Sequence, residues 1–600
     1  MIIKYLRILL QVGWKFCCLV ILGGIYPQLL RTQTVDSWRS QRPEIPPPQD
    51  VLPSRPQPQP PSRLPKPLPA PDELLKPSSP EVPSTPNTPN RPLEKVEVKS
   101  FVVSGSTVFS QEQIAKVLAP FVNKTLSFPQ LLEARSAITQ LYIDRGFITS
   151  GAYLPPQRLR DGIVKIQVIE GILEDIQITG TKDLNPNYIR SRLVRNTAPP
   201  LNRDRLLESL QLLQQDPLIE SLSAELSAGG QPGTSRLELG VTEADSFDLL
   251  LVTDNGRSPS VGTFRRRLQL NEANLFGIGD GLGLGYSNTD GSDGFDINYD
   301  LPLNSRDGTL QLAYGETFSD VIEPPFEVLN IESESSYYQL TLRQPLVNSP
   351  TQEFSLGLTA SRQESNIASL VESPGVPSTE IAPAELSPGA DNEGDTKISA
   401  LRFSQEWTTR SDRHVLATRS QLSFGVDAFD ATTNDNAPDS DFFAWQGQGQ
   451  WIRLLAKDTS LLLRANLQLA DQPLVPLEQI GIGGSNSVRG YRQDVLLADN
   501  GAFASAEVRL PILQVDRWQG VLQVTPFVEF GTVWNSDGDN SEAEPLDSDT
   551  LASTGLGLLW QQGDRFTARF DWGIPLISVD ARDRTWQEDG LYFSLQYNPW

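Results

Sequence analysis

From Phe247 to the end of the chain, apolar and polar residues alternate with a period of two. In residues 460–470 the odd-numbered positions are mostly leucine, whereas the even-numbered positions include Arg464, Asn466 and Gln468. The same alternation recurs in residues 308–315 and 501–510. Because side chains on a β-strand point to opposite faces in turn, this pattern predicts strands with one apolar face and one polar face.

Sixteen such segments follow one another, and their connections alternate between long and short from the fifth strand onward. The long connections are 318–334, 363–395, 426–440, 471–500, 535–549 and 574–589; the short ones include 347–352, 409–413, 455–459 and 562–564. Short periplasmic turns and long external loops are typical of transmembrane barrels. A water-soluble β-sandwich also alternates, but sixteen leucine-faced strands would need two complete covering sheets. The predicted strands lie near 247–254, 262–272, 281–288, 294–300, 308–317, 335–346, 353–362, 396–408, 414–425, 441–454, 460–470, 501–511, 521–534, 551–561, 565–573 and 590–598.

Two globular units of similar pattern precede these strands. The first runs from strand VEVKSFVVSG through helices near 111–118 and 128–145 to strand VKIQVIEG. The second runs from LEDIQITG through helices near 187–194 and 203–214 to LELGVTEA. Each unit is predicted to be β-α-α-β-β, with Gly105 or Gly180 turning the chain after the opening strand. We place the units at 94–172 and 173–246, and the barrel at 247–600.

The N-terminal part of the chain contains two further segments. Lys4 and Arg7 precede an apolar stretch at 16–26, which predicts a secretory signal peptide within 1–33 without a defined cleavage site. A retained membrane anchor is the alternative. Residues 34–93 are rich in proline, which favours extended polyproline geometry over a packed core. This segment is predicted to be a disordered linker.

Composition excludes several classes of function. The formal charge of −24 disfavours nucleic acid, because phosphate binding requires clustered Lys and Arg. Both cysteines, Cys17 and Cys18, lie in the first apolar stretch, and His414 is the single histidine of the chain, which excludes histidine-based metal sites and triads. There is no phosphate-binding G-x-x-x-x-G-K-S/T sequence. We therefore predict no enzyme, no cofactor, no nucleotide and no metal; the acidic segment 535–549 is interpreted as a solvated external loop.

Three stretches resemble one known family. Residues 144–171, DRGFITSGAYLPPQRLRDGIVKIQVIEG, are similar to the first POTRA domain of two-partner secretion transporters of the outer membrane. The sequence LNRDRLLESLQLLQQDPLIESLSAEL, from Leu201, resembles their second POTRA domain, although Pro217-Leu218 stands where Pro-Gly is usual. NLFGIGDGLGLGYS, from Asn274, resembles their glycine-rich early hairpin. The resemblance implies a mostly β protein: a 16-stranded antiparallel transmembrane β-barrel preceded by two periplasmic β-α-α-β-β POTRA domains.

The same resemblance identifies a candidate pore loop. Val488-Arg489-Gly490-Tyr491 matches the loop tip that this superfamily folds into its own barrel. FVEFGTVW matches the family's F-x-D-x-G strand, with Phe527 and Gly531 in place and Glu529 where aspartate is usual. Glu529 shares the parity of Gly531, so it is expected to face the lumen and to meet Arg489. An exposed loop arginine is the alternative for Arg489.

The resemblance also implies partners. A secreted exoprotein would be captured unfolded in the periplasm and threaded outward, with outer-membrane lipid around the barrel. The expected capture residues are Arg145, Gly146, Tyr153, Pro155, Arg203, Leu206 and Leu210. Phe593, Tyr597 and Trp600 are expected to form the C-terminal signal read by the barrel-assembly machinery. Two alternative functions stay open here: an assembly factor of the same superfamily, and a passive porin or surface receptor.

Overall fold

The computed structural model describes residues 74–77, 95–158, 161–324, 326–369, 386–434, 438–536, 549–579 and 585–599. The predicted signal peptide, most of the proline-rich linker and Trp600 lie outside the described residues. None of the helices in the described ranges is long and apolar enough to cross a membrane.

The first domain contains strands β2 (Val96–Val98), β3 (Ser100–Ser104), β4 (Lys124–Leu126), β5 (Gly151–Tyr153) and β6 (Ile163–Ile169) with helices α1 (Gln111–Leu118) and α2 (Phe128–Ile143). Strand β6 lies between β3, to which it is parallel, and β5. Both helices begin with a capping box, formed by Ser110 with Gln113 and by Ser127 with Gln130, which satisfies the first free N–H groups. Ile138 and Tyr142 of α2 pack against Val164 and Ile166 in a closed core.

The second domain has the same β-α-α-β-β order as the first, without counterparts of β2 and β4. It contains β7 (Ile172–Thr179), α3 (Pro186–Asn196), α4 (Arg203–Gln214), β8 (Ile219–Ala228) and β9 (Thr234–Glu243). The sheet order is β8-β9-β7, and leucines from α4 fill its core. The helix predicted at 203–214 has the predicted bounds.

In each domain, a glycine turns the chain after the opening strand so that the next backbone N–H groups bind a glutamate at the end of the closing strand. Gly105 and Gly180 have φ angles of +85° and +88°, a conformation that glycine adopts without a steric cost. The turn after Gly105 donates the Thr107 and Val108 N–H groups to Glu170, over 2.7 and 3.1 Å. The turn after Gly180 donates three N–H groups to Glu243, over 2.7 to 3.1 Å. Burial acts to raise the pKa of both carboxyls, but hydrogen bonds outweigh it, so the pKa of each lies below its usual value. For Glu170 these are the Thr107 and Tyr142 hydroxyls together with the backbone N–H groups; for Glu243 they are the three backbone N–H groups.

Part of the predicted disordered linker is ordered. Strand β1 (Leu75–Pro77) pairs in parallel with β8, and Leu74 and Leu75 are buried in the core of the second domain. The linker prediction is therefore wrong for residues 74–77. The physical reason is that two adjacent leucines interrupt the proline pattern and supply apolar surface that the edge of the sheet can bury.

The barrel consists of sixteen antiparallel strands and closes where the last strand pairs with the first, Leu251 lying opposite Tyr597. The fold class predicted above is confirmed, and a sandwich is excluded because the sheet closes on itself. The strands are β10 (Phe247–Asp254), β11 (Arg265–Glu272), β12 (Gly281–Asn288), β13 (Ser292–Pro302), β14 (Thr309–Asp320), β15 (Ile331–Asn348), β16 (Gln352–Ser369), β17 (Asp395–Ser411), β18 (His414–Gly425), β19 (Phe443–Ala456), β20 (Thr459–Ala470), β23 (Asn500–Val515), β24 (Gly520–Trp534), β25 (Thr550–Gln562), β26 (Phe566–Pro575) and β27 (Leu591–Tyr597). Strands β21 (Ile480–Ile482) and β22 (Leu496–Ala498) form a separate hairpin in one connection.

Strands β15 and β16 are longer than predicted. Their added residues include Ser333, Glu334, Gln363 and Ser365. The hydrogen-bonded ladder continues through these polar positions after the apolar alternation has ended. Apolar alternation marks only the part of a strand that faces lipid, so the sequence pattern underestimates strands that extend beyond it.

The second domain is attached to the periplasmic turns of the barrel. Asn185 N–H donates to the Gly277 carbonyl over 2.8 Å, and Arg192 Nε donates to Asp307 over 2.9 Å. Gly279 has φ +80°, and a Cβ there would lie 2.3 Å from the Tyr188 ring. The glycine-rich hairpin noted in the sequence thus packs directly against helix α3.

Candidate functional site

The connection between β20 and β23, residues 471–499 and hereafter the pore loop, folds into the barrel. Its β21–β22 hairpin packs with Val488 and Tyr491 against Phe503, Val533 and Leu551 of the barrel strands. Val488 and Arg489 are buried, with exposed fractions of 0% and 1%. An external loop in water would not bury such a tip, so the pore loop occupies the lumen.

Arg489 lies at the centre of a group of carboxylates from three barrel strands, hereafter the Arg489 cluster. Its Nη2 donates to Glu529 over 2.6 Å and its backbone N–H donates to the same carboxylate over 2.7 Å. Its Nη1 lies 3.2 Å from Glu507 and 3.2 Å from Asp571. Bidentate arginine–carboxylate contacts are among the strongest hydrogen bonds of proteins. The predicted contact between Arg489 and Glu529 is present, and the alternative of an exposed arginine is excluded by its burial.

The three motif positions of strand β24 each serve the pore loop in a different way. The Phe527 ring lies under the Arg489 guanidinium, 3.4 Å from the ring centroid to Cζ. Glu529 supplies the carboxylate, and its neighbours Val528 and Phe530 point outward, with exposed fractions of 54% and 48%. A Cβ at Gly531 would lie 2.6 Å from Ile482 of the pore loop. The strand thus provides an aromatic platform, a charge and free space.

The next two residues of the tip hold the loop through its backbone. Gly490 has φ +101°, and its backbone passes so close to Gly573 that a Cβ on either glycine would meet the other's main chain, at 3.2 or 2.5 Å. Its N–H donates to the Tyr592 hydroxyl over 3.0 Å. The Tyr491 hydroxyl donates to the Ala552 carbonyl over 2.7 Å. All four residues of the predicted tip therefore contact the barrel wall.

Other anchors of the pore loop carry no motif that sequence reasoning could use. Arg402 of β17 makes two hydrogen bonds to Glu478 of the loop, over 2.7 and 3.1 Å, with both side chains buried. Arg464 of β20 donates to Glu529 over 3.3 Å and to the Asn486 carbonyl over 3.3 Å. Arg492 contacts Glu323 in a different connection. The alternation of inner and outer positions along each strand could have indicated them. It places Arg402 and Arg464 on the inner face, where an arginine needs a partner.

The seven predicted capture residues are not brought together. Leu206 and Leu210 have exposed fractions of 0% in the core of the second domain, so their predicted contact with a substrate is wrong for the folded domain. Arg145, Gly146 and Arg203 lie at the junction of the two domains, where Arg203 N–H donates to the Gly146 carbonyl over 2.8 Å. The side chains of Arg145 and Arg203 are exposed.

Tyr153 and Pro155 lie at or beside an open sheet edge. Strand β5 is an edge of the first-domain sheet, and Tyr153 at its end is 44% exposed. Pro155 follows it and is half-buried. Of the seven predicted residues, these two lie at or beside the sheet edge to which an extended partner chain can add.

Two of the three predicted C-terminal aromatic residues, Phe593 and Tyr597, lie in the last strand, which pairs with the first strand of the barrel. Phe593 packs its ring 5.9 Å from Phe264. Tyr597 is 47% exposed on the outer face and pairs with Leu251 of the first strand. Their predicted recognition during assembly stays a prediction.

One group of acidic residues in the described ranges has the spacing of a cation site. Carboxylate oxygens of Asp391, Glu393 and Asp395 lie within 4.8 Å of one another at the outer end of β17. Lys397 Nζ is 2.9 Å from Asp395 and already neutralises part of this charge. Exposed acidic groups of this kind are common without an ion, and we assign no metal here.

Comparisons with known proteins agree with this architecture. A model of the POTRA domain, ShlB-type, matches residues 96–171, and a model of the Omp85 superfamily domain matches residues 273–596. The chain is 24% identical over 497 residues to the outer membrane transporter CdiB of Escherichia coli, covering 80% of this chain and 79% of that protein. It is 23% identical over 492 residues to the heme/hemopexin transporter protein HuxB of Haemophilus influenzae, covering 79% and 82%.

Solved structures show the same fold. CdiB from Escherichia coli superposes with a TM-score of 0.62 at 22% identity, over 86% of this chain and 93% of that one. CdiB from Acinetobacter baumannii superposes with a TM-score of 0.57 at 19% identity, over 85% and 90%. The first-domain match confirms the predicted POTRA domain, and the relatives are transporters and not enzymes. The chain therefore belongs to the Omp85 superfamily, and within it to the two-partner secretion transporters of the outer membrane.

Proposed function

We propose that this secretion pore exports an unfolded exoprotein past the pore loop, and that the Arg489 cluster holds the loop in the closed position. The observation that carries the proposal is the burial of one arginine among Glu529, Glu507 and Asp571 inside the lumen. A passive porin keeps an open aqueous channel. Here a loop fastened to three strands occupies that channel, which supports a gated pore.

The free energy of the Arg489 ion pairs is large enough to hold the loop closed and small enough to be overcome. Removing one partner of a buried ion pair costs about 3–5 kcal/mol, because the other charge is left without compensation. Displacing the loop into water rehydrates the arginine and the carboxylates together, which offsets part of that cost. The closed state is thus stable on its own, and binding of the exported chain can supply the energy to leave it.

The periplasmic arm supports capture at the open edge of the first domain. Strand β5 has no neighbour on one side in the described residues, and Tyr153 offers an aromatic contact beside its free backbone groups. An unfolded chain can add to such an edge as a further strand. We further propose that lipid covers the outward apolar residues of the barrel and that the barrel-assembly machinery reads the C-terminal strand.

Single-channel conductance in a planar lipid bilayer tests the gate. Purified parent protein, Arg489→Ala and Arg419→Ala are compared. Arg419 contacts Glu406 and Gln421 on the barrel wall, so its removal takes one inner-face arginine away without touching the pore loop. We expect more frequent or larger openings for Arg489→Ala and parent-like traces for Arg419→Ala.

Two results would contradict the proposal. Equal traces for parent and Arg489→Ala would mean that the cluster does not hold a gate. A larger change in Arg419→Ala than in Arg489→Ala would mean that any lost inner charge alters conductance. Folding is checked for each variant by the heat-dependent gel migration of an intact barrel.

A further inference from the structure

The external end of the pore loop contains a second buried arginine. Three residues after Arg489, the Arg492 guanidinium donates to both oxygens of Glu323, over 2.7 and 2.5 Å. It also donates to the Ser260 hydroxyl over 2.8 Å and lies 3.6 Å from Glu588. The exposed fractions of the Arg492, Glu323 and Glu588 side chains are 10%, 5% and 3%. Because all three side chains are this well buried, the ion pairs are not solvated surface contacts.

The partners of Arg492 come from three other external connections. Ser260 lies between β10 and β11, Glu323 between β14 and β15, and Glu588 between β26 and β27. These connections also bind one another: Ile322 N–H donates to the Ser260 carbonyl over 2.9 Å, and the Ser260 hydroxyl donates to Glu323 over 3.0 Å. Gln493 N–H donates to Gln587 over 2.9 Å. Arg492 therefore fastens the pore loop to a connected external cap.

The two arginines hold the pore loop at two separate places. Arg489 binds carboxylates on the inner faces of β23, β24 and β26, whereas Arg492 binds residues of the external connections. The two sets of partners share no residue. The pore loop is therefore attached once inside the lumen and once at the external connections.

We propose that Arg492, with Glu323 and Glu588, is an external latch that holds the pore loop closed independently of the Arg489 cluster. The inference rests on the proposed gating of the pore loop and adds a second set of positioning residues to it. Loss of Arg492 removes the ion pairs that join the pore loop to Glu323 and Glu588, which destabilises the closed arrangement. Opening then requires the release of both arginines, so their effects reinforce each other.

The test measures open probability of the full-length protein in planar bilayers. The variants are Arg492→Gln, Glu323→Gln, their double variant, and Arg489→Ala alone and combined with Arg492→Gln. The matched control is Arg266→Gln, because Arg266 pairs with Asp290 at the same external end, is half exposed and does not touch the pore loop. We expect about a tenfold rise in open probability for Arg492→Gln, the lower range for loss of a charge-assisted hydrogen-bonded pair. Arg266→Gln should match the parent.

Comparing the open probabilities of single and double variants shows whether Arg492 and Glu323 act as a pair. Because Arg492 and Glu323 act as a pair, their double variant should open less often than the product of the two single effects predicts. Combining Arg489→Ala with Arg492→Gln should open the pore more than either change alone. If Arg492→Gln fails to fold, Glu323→Gln carries the same test, since it removes the partner's charge and keeps its shape.

The outcomes separate the latch from the gate. If Arg489→Ala opens the pore while Arg492→Gln and Glu323→Gln match the control, the latch is refuted and the gate stands. If no variant changes open probability although all fold and insert, both are refuted. If Arg492→Gln and Glu323→Gln raise open probability above the control with a non-additive double variant, the latch is supported.

Discussion

Replacing Gly531 by alanine tests the contact between the pore loop and strand β24 without changing any charge. Gly531 faces the lumen on β24, and a Cβ there would lie 2.6 Å from Ile482 Cγ2 and 3.0 Å from Val488 Cγ2. Carbon atoms in contact normally stay about 3.5–4.0 Å apart. The β21 segment of the loop must therefore retreat by about 1 Å, although Arg489 is held in place by its carboxylates.

The magnitude follows from packing. Forcing an extra methyl group into a filled site costs about 1–3 kcal/mol. The cost falls on the closed state alone, because a displaced loop no longer touches β24. A difference of this size shifts an equilibrium about 5- to 150-fold. We expect Gly531→Ala to raise the open probability in single-channel recordings by a factor in this range.

A second inner-face glycine supplies the control. At Gly281 of β12 the nearest atoms to an added Cβ are 3.8 Å away, so alanine fits there without a clash. Gly281→Ala should have the same open probability as the parent protein. If Gly531→Ala is also indistinguishable from the parent, the pore loop does not rest on β24 in the closed channel and the reasoning fails.

Three further predictions concern the periplasmic arm and its attachment to the barrel. Gly279→Ala should loosen the second domain from the barrel by about 1–2 kcal/mol, because alanine is strained at a positive φ and its Cβ meets Tyr188; faster hydrogen exchange in 186–196 would show it, and unchanged exchange would contradict it. Hydrogen bonds hold the pKa of Glu170 below its usual value, so the stability that it contributes is present above about pH 4.3 and is lost as the pH falls through the lower folded pKa; Glu170→Gln should remove this acid dependence and cost about 1 kcal/mol in thermal unfolding near pH 7, and an unchanged pH profile would refute the assignment. Leu206→Ala should cost about 2–5 kcal/mol, whereas Tyr153→Ala should leave the unfolding midpoint unchanged, and the reverse order would contradict the placement of the two side chains.

The strand order and the identity of the inner wall could be predicted from local pattern. Alternation along β24 places Glu529 on the face opposite to Val528 and Phe530, and the structure has it there. Likewise, strands β10, β12 and β18 have the predicted bounds. Period-two burial is a property of a strand and its two faces, so a single sequence contains it.

Contacts between distant segments required the tertiary structure. The side chains that complete the Arg489 cluster, Glu507 and Asp571, and the Arg492 partners Glu323 and Glu588 are separated from their arginines by stretches of sequence without any repeating pattern. Leu206 was expected to meet a substrate because a family motif contains it, yet it fills a core. Which polar residues meet inside a closed barrel depends on strand tilt, register and the path of one long loop, and alternation along individual strands specifies none of these.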